Sequence, residues 1–414
     1  MKFMLWRISY IALTTLILIV GTLLYPLLRG WKYRDLLWRR LWPQGLARQP
    51  SLWFHAVSLG EAVILNSILE RFSKKEVESF LITSSTLDGF ETLNKRNWPS
   101  ECCFLPFDHA FSLGKMFKDR VLPDLIVVET EIWPELFQFV TSHQRRILIF
   151  NARFGERTMR RSKNPLIRSS IHQVSRFLVR SEAEVMNLQA FAVPSSRVSV
   201  LGNIKFDYSN MQLKPDPFRS WLEEGSVIIF SSISNNEVPL LAPQLVKLAE
   251  KLPAFRFLWV PRHFGQLKSH IEALLTLEPV LREGEKVFNT RCVILNSIGE
   301  LAGTYRFAEV SIIGGSFNKR GGQNFIESLS AGVPAITGPS MKNFQAELDL
   351  AIKERCVTQI QRSDDLMDTV LNLLQNQKEL AVMKENARSL VQSNKGAIER
   401  TVLEIREFAS FLDV

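Results

Sequence analysis

The chain lacks much that would have assigned it quickly. Only four of its 414 residues are cysteine (Cys102, Cys103, Cys292, Cys356). They show no Cys-x-x-Cys pair and no Cys/His metal spacing, so a structural zinc site or a disulfide scaffold is excluded; buried reduced thiols are the reading, with a redox-active adjacent pair Cys102-Cys103 as the alternative. No Asp-x-Asp stands at the end of an apolar run, so a divalent metal is not indicated. There is no internal repeat and no low-complexity tract. The first 50 residues hold a single acid, Asp35, against eight Lys and Arg, which places +7 of the net +9 in one eighth of the chain. A nucleic-acid binder spreads its basic face over the folded domain. Here the excess sits at the N-terminus and points to a membrane surface.

The segment beside that charge also lacks ionisable residues. Ile8 to Leu28 is an uncharged run of 21 residues, enough for a helix to cross a hydrocarbon core of ~30 Å. No small-x-small cleavage site follows, since Tyr25-Pro26-Leu27-Leu28-Arg29 is a poor one, which argues against a removed signal peptide. Six Lys and Arg between Arg29 and Arg48 outnumber Lys2 and Arg7 on the other side. The positive-inside rule then puts the C-terminal side in the cytoplasm, with a single anchor in the inner membrane; monotopic insertion is the alternative. Trp31, Trp38 and Trp42, interleaved with Arg39 and Arg40, read as an interfacial helix on the headgroups. Residues 1–48 are therefore expected to be anchor and interfacial helix.

From Ser51 onward, short apolar runs alternate with helical patterns. Strands are expected at Leu52–Val57, Ser79–Thr83, Leu125–Val128, Arg146–Phe150, Phe177–Val179 and Val198–Leu201. A polar, proline-bearing stretch follows, and the rhythm restarts with Val227–Phe230, Arg256–Val260, Val310–Ile313 and Pro334–Thr337. Strand–helix alternation implies parallel, doubly wound sheets. The boundaries read as 49–205 for the first domain, 206–224 for a linker and 225–390 for the second domain. A terminal helix, 391–414, is then free to pack back on the first domain. Two such domains in tandem offer a cleft between strand ends, where ligands of open α/β sheets bind.

The chemistry-bearing residues cluster at those strand ends. Ser58, Gly60 and Glu61 sit where a strand gives way to a helix; main-chain N–H groups and Ser58 suit an anion there, and Glu61 is expected to point out of the first helical turn. The helix dipole would keep Glu61 ionised, as a general base requires, although a carboxylate there also simply complements the dipole. Glu129 and Glu131 follow another strand, and two carboxylates so close need a cationic or hydroxyl partner. Arg153 heads a basic run (Arg157, Arg160, Arg161, Lys163) that reads either as a solvated face or as a grip for a phosphate or carboxylate. Arg262 ends a strand of the second domain, with His263 beside it. Asn296-Ser297-Ile298-Gly299-Glu300 offers main-chain groups to a base. The segment Gly314–Pro339 carries two glycine pairs, Gly314-Gly315 and Gly321-Gly322, ahead of a helical pattern near Asn324. Glycines allow close backbone approach to a ligand, and Glu327 on the first turn suits a ribose diol.

Taken together these stretches resemble the 3-deoxy-D-manno-oct-2-ulosonic acid (Kdo) transferases of lipid A assembly. The motifs that carry the likeness are, in order, HAVSLGE, LPFDHAFS, ETEIWPELF, NARFGERTMRR, GNIKFD, WVPRH, IGEL, GGSFNKRGGQNFIE and GVPAITGP, spanning Trp53 to Pro339. The resemblance implies a GT-B fold of two facing Rossmann-like domains. It further implies an inverting, metal-independent transfer of Kdo from CMP-Kdo to a lipid A precursor, with no cofactor and no nucleic-acid partner. By that likeness Glu61 matches the general base and Glu131 supports acceptor or Kdo binding. Arg262 and His263, Ile298, Gly299 and Glu300, and Gly322, Asn324 and Glu327 form the donor side. Ser58, Gly60, Arg153 and Lys205 face the acceptor or the Kdo carboxylate. The chain departs from the family's usual residues at Ser234, Asn235, Asn296 and Gln323, all on the donor side. A GT-B enzyme using a UDP-sugar on a lipid, or an anchored homologue that binds without catalysing, are the competing readings.

Overall fold

A computed structural model describes residues 2–31, 33–154, 156–161, 163–207, 217–282, 290–297 and 299–410. The chain divides into two compact units. Unit 1 is Met1–Ile204 with Gly396–Val414, and unit 2 is Lys205–Lys395.

Unit 1 is built on a seven-stranded, wholly parallel sheet. Its strands are β1 (Leu52–Ala56), β2 (Phe80–Ser84), β3 (Glu101–Phe104), β4 (Asp124–Val128), β5 (Ile147–Ala152), β6 (Arg176–Val179) and β7 (Val198–Val200), in the order β3-β2-β1-β4-β5-β6-β7. Every residue of β1, β2, β4 and β5 is buried. That is the pattern of strands covered on both faces by crossover helices, and it explains their continuous apolar runs. The edge strand β3 departs from it, being only partly buried at Glu101, Cys102 and Cys103.

The C-terminal helix Ala397–Ser410 closes unit 1 by polar contacts with the main chain. Arg146 Nη2 donates to the Phe408 carbonyl at 2.5 Å and Arg400 Nη2 to that of Leu201 at 2.7 Å, while Arg176 pairs with Glu404 at 3.0 Å. Arg146 is itself fixed by the buried Asp124 carboxylate.

Unit 2 repeats the plan with β8 (Val227–Ile233), β9 (Arg256–Pro261), β10 (Val280–Leu281), β11 (Cys292–Ile294), β12 (Ala308–Ile313), β13 (Ala335–Thr337) and β14 (Val357–Gln359). The order is β10-β11-β9-β8-β12-β13-β14, again all parallel. The expected linker is shorter than its sequence suggested. Residues 208–216 lie outside the described residues, but the helix Pro217–Glu223 inserts Trp221 and Leu222 into a core of unit 2 with Val227, Leu258 and Tyr305. Trp221 Nε1 donates to the Thr290 carbonyl at 2.7 Å.

The N-terminal helix Lys2–Leu24 is followed by a short helix, Arg34–Leu41. The expected aromatic belt is largely turned inward. Trp38 stacks on Tyr25 with centroids 4.2 Å apart, and Trp42 donates to Thr22 Oγ1 at 2.8 Å. Arg40, expected on the headgroups, instead donates to the carbonyls of Leu105 and Ser85 and lies over the Trp133 ring. Trp31, Tyr33 and Arg39 remain exposed.

If Pro217–Glu223 is core and not linker, Trp221→Ala removes a fully buried indole and lowers the stability of unit 2 by about 3–5 kcal/mol. Denaturant unfolding of the intact chain measures this; an unchanged midpoint would return the segment to the linker.

Candidate functional site

In unit 1 the chain leaves β1 toward β2 on one side and reaches β4 on the other. The C-terminal ends of β1 and β4 thus flank the point where the strand order reverses, where open α/β sheets bind ligands. After β1, Ser58 precedes the helix Leu59–Leu69, with Glu61 on its first turn. The carboxylate turns back along its own helix end instead of pointing outward. Oε2 accepts from the Val57 N–H at 2.7 Å and Oε1 from Ser58 Oγ at 2.9 Å. Glu61 is only 6% exposed. Gly60 beside it is exposed, with no atom closer than 4.0 Å to where a β-carbon would sit.

The end of β4 brings up two more carboxylates. Glu129 adopts a left-handed backbone (φ 58°), and so does Asn151 near the end of β5 (φ 53°). Such conformations are costly for residues with a β-carbon and persist where the surroundings enforce them. Asn151 Nδ2 reaches Glu129 Oε1 at 3.4 Å, and the guanidinium of Arg180, just after β6, pairs with Glu129 while its Nε donates to the Asn151 carbonyl at 3.0 Å. Thr130 Oγ1 accepts from the Arg153 N–H at 2.8 Å, tying the loop after β4 to that after β5.

This frame sets the protonation of Glu61. Burial is the largest influence and pushes its pKa up; the charges of Glu131 and Glu129 add to the rise, while the bonds from Val57 and Ser58 oppose it. The result is about 8. The expectation that the helix dipole holds Glu61 ionised is therefore reversed, because desolvation and two like charges outweigh the helix end.

In unit 2 the corresponding reversal lies between β8 and β12. The first glycine pair is not an open anion cradle. Glu237, fully buried, occupies it from within: its carboxylate accepts from the N–H groups of Gly315 (2.7 Å) and Phe317 (2.9 Å) and from Ser234 N (3.0 Å) and Oγ (2.5 Å). Gly314 is required by close approach, since a β-carbon there would lie 2.3 Å from the Ser232 carbonyl oxygen. Gly322 (φ 81°) donates its N–H to the Gly315 carbonyl, and a β-carbon there would meet Met341 Sδ at 2.1 Å.

Arg262, after β9, lies near Arg320 and Glu327. Its pKa is lowered by partial burial and by the Arg320 charge, with Glu327 acting in the opposite sense. His263 is lowered by desolvation and by both arginines. Glu327 is raised by burial, against the bond from Asn324 Nδ2 at 2.9 Å and the Arg262 charge. Asn324 Oδ1 also accepts from the Ile326 N–H, starting a short helix. Glu300 is held by Arg282 at 3.0 Å and by Ser297 Oγ, which leaves Gly299 (φ 90°) to present main chain; Ile298 lies outside the described residues. Lys205 is the first residue of unit 2, its ammonium 4.5 Å from the Phe344 ring centroid.

The unusual residues at the end of β8 are built in. His270 Nδ1 accepts from Trp259 Nε1 at 2.8 Å, so its Nε2 carries the proton and donates to Asn235 Oδ1 at 3.1 Å. Burial pushes the His270 pKa down to about 4, and an amide oxygen suits this neutral ring. Gln323 lies against Gly315, where its side chain would meet a β-carbon at 3.0 Å.

Sequence reasoning missed Arg180, Glu237 and Arg320. The usable signal was position, since Arg180 and Glu237 each lie within four residues of the end of an apolar strand. Among the described residues no group of three or more His, Cys, Asp or Glu side chains is placed to hold a metal ion.

Comparison with known proteins places these features in a context. A family model described as 3-deoxy-D-manno-octulosonic-acid transferase (kdotransferase) matches residues 34–208. A 3-deoxy-D-manno-octulosonic acid transferase of Haemophilus influenzae is 27% identical over 95% of this chain and 97% of its own length. That of Chlamydia trachomatis is 24% identical over 85% and 84%. Among solved structures, a glycosyltransferase from Rickettsia africae (TM-score 0.55, 14% identity, 87% of this chain and 99% of that one) shares the fold. So does a UDP-GlcNAc 2-epimerase from Neisseria meningitidis (TM-score 0.59, 12% identity, 83% and 98%). Two doubly wound parallel-sheet domains of this kind constitute the GT-B class.

Glu237→Ala leaves the buried Gly315 amide without an acceptor, at about 1–3 kcal/mol, and removes the acceptor of the half-buried Phe317 amide as well. Amide exchange should accelerate across 314–322 while β1 and β4 stay protected; unchanged exchange in that turn would show that Glu237 does not hold it.

Proposed function

We propose that the chain is a 3-deoxy-D-manno-octulosonic acid (Kdo) transferase that moves Kdo from CMP-Kdo to a lipid A precursor in lipopolysaccharide biosynthesis, with inversion. The Kdo transferase relatives over most of the chain support the reaction class. The observation that carries the mechanism is the buried Glu61 carboxyl at the sheet reversal, with its pKa raised to about 8. A base whose pKa lies near the working pH combines proton affinity with a usable ionised fraction.

In the proposed reaction an acceptor hydroxyl gives its proton to Glu61 as its oxygen bonds to the anomeric carbon of Kdo. The bond from that carbon to the CMP phosphate oxygen breaks, and the electron pair leaves with the phosphate. A single displacement inverts the anomeric centre. When Glu61 is ionised, the Val57 N–H and Ser58 O–H hold the carboxylate oxygens and so fix its position. Proton uptake is then favoured by Glu131 and Glu129, which are relieved of a like charge.

Negative charge grows on the leaving phosphate, for which Arg262 and Arg320 are the cations in reach of one another's field. Their mutual repulsion is relieved when a phosphate binds, and this favours the charged leaving group. Glu327 and Asn324 are assigned to the ribose or phosphate, and the main chain at Gly299 to the base. Arg153, positioned through Thr130, is assigned to the Kdo carboxylate, a pairing suited to a planar guanidinium. The apolar segment Met4–Leu27, of mean hydropathy 2.1, would keep the enzyme in the membrane that holds its acceptor.

Purified full-length chain should transfer Kdo from CMP-Kdo, and not a sugar from UDP-sugars, to a tetra-acylated lipid A precursor. Absence of any transfer by the wild type would overturn the assignment. Glu61→Gln should cut turnover by roughly 10²–10⁴ with little change in the CMP-Kdo KM. In contrast, Arg262→Ala should lower kcat/KM for CMP-Kdo by more than an order of magnitude. Near-normal turnover of Glu61→Gln would remove it as the base.

A further inference from the structure

The stretch Leu105–Ser112 has no part in the reaction above, yet it holds a buried charge. Asp108 is 3% exposed and takes three donors. Its Oδ1 accepts from the Leu136 N–H at 2.7 Å, and its Oδ2 from the Glu135 N–H at 3.3 Å and from Tyr10 Oη at 2.6 Å. Two of these donors belong to the first turn of helix Pro134–Ser142, and the third comes from the N-terminal helix.

That helix is not a bare apolar rod. Its protected positions recur at helical spacing through Arg7, Tyr10, Thr14, Leu18 and Gly21, and nearly all of its polar side chains lie on or next to this stripe. Thr15 Oγ1 lies 3.1 Å from His109 Nε2, the residue after Asp108. Thr22 accepts from Trp42, and Arg7 stands 3.6 Å from the buried Glu135. A β-carbon on Gly21 would come within 2.8 Å of Leu41. From Arg7 to Thr22 the docked length is about 22 Å at 1.5 Å per residue. Leu5, Leu13, Leu16, Val20 and Leu23 point the other way and are exposed. The helix thus lies along unit 1 with one side seated on protein and the other apolar and bare. A bilayer is the partner that matches the bare side, since an exposed apolar stripe of this length is not stable in water.

The seat leads directly to the acceptor loop. Helix Pro134–Ser142 begins immediately after Glu129–Trp133, and Trp133 packs edge-on to His55 of β1 while Arg40 lies over its ring. Asp108 therefore joins the membrane-facing helix to the segment that carries Glu131, one of the two charges bearing on Glu61. We propose that Asp108 is a positioning residue, a latch through which the seated N-terminal helix holds the Glu129–Trp133 loop in register for the lipid acceptor. This rests on the function inferred above.

The test is steady-state Kdo transfer by the full-length chain in mixed micelles, with the lipid A precursor and CMP-Kdo varied separately. Tyr10→Phe keeps the ring and removes only the hydroxyl. It should raise the acceptor KM about fivefold or more and leave the CMP-Kdo KM unchanged. Asp108→Asn should act in the same direction, and the double variant should be no worse than Asp108→Asn alone if both act through one contact. An acceptor KM within twofold of wild type in Tyr10→Phe would overturn the latch. So would a loss of active enzyme at unchanged KM, which is what a merely structural contact gives, or additive effects in the double variant. Wild-type protein that transfers no Kdo would instead overturn the function itself, and the two failures are distinguishable.

Discussion

The burial of one carboxyl, Glu61, at the start of a helix and beside two others is the constraint on which the first unit depends. A buried carboxylate is expensive unless bonded or paired. The fold supplies two donors to Glu61, from Val57 and Ser58, and gives Arg180 to Glu129. It supplies no such cation to Glu61 among the contacts described, and its pKa accordingly stays high. The left-handed turns at Glu129 and Asn151 are part of the same arrangement, since they aim the loop after β4 back toward β1 and allow Asn151 and Arg180 to brace it.

The second unit shows what the same device becomes when its charge is satisfied. Ser58-x-x-Glu61 after β1 has a counterpart in Ser234-x-x-Glu237 after β8, and in each the serine hydroxyl donates to the glutamate. Around Glu237 the neighbouring loop contributes two main-chain N–H groups, and the carboxylate becomes a fixed internal anion of the glycine turn. Around Glu61 the neighbouring loop contributes two carboxylates. Identical local sequence chemistry thus gives a structural clasp in one unit and, in the other, a buried carboxyl with a raised pKa, the proposed proton acceptor. The difference is set by a loop some 70 residues away in sequence, and it cannot be read from either tetrapeptide.

Other parts of the molecule were legible or hidden for similar reasons. Strands buried on both faces, such as β1, β4, β5 and β12, announce themselves as apolar runs. β3 (Glu101-Cys102-Cys103-Phe104), β10 and β14 are short or half-exposed edge strands, and β11 is a buried strand of only three residues; the pairing of all four is decided by the sheet and not by their own residues. The anchor was visible as an uncharged run. Its seat was not, because Tyr10, Thr15 and Thr22 count as mild residues in a hydropathy sum, while Asp108, His109 and Trp42 lie up to about a hundred positions away. Arg40 and Trp221 misled for the opposite reason: a basic residue among tryptophans looks interfacial and a segment after prolines looks like a linker, until packing turns both inward.

The most direct measurement is the pH dependence of kcat/KM for Kdo transfer in the wild-type chain and in Glu131→Gln. As the proposed base, Glu61 must be deprotonated to accept the hydroxyl proton, so the rate should rise with pH along a limb centred near 8. Replacing Glu131 removes one negative neighbour, lowers the Glu61 pKa and should move that limb to lower pH, whatever happens to the absolute rate. A limb near the ordinary carboxylate range in the wild type, or one that stays in place in Glu131→Gln, would contradict the account.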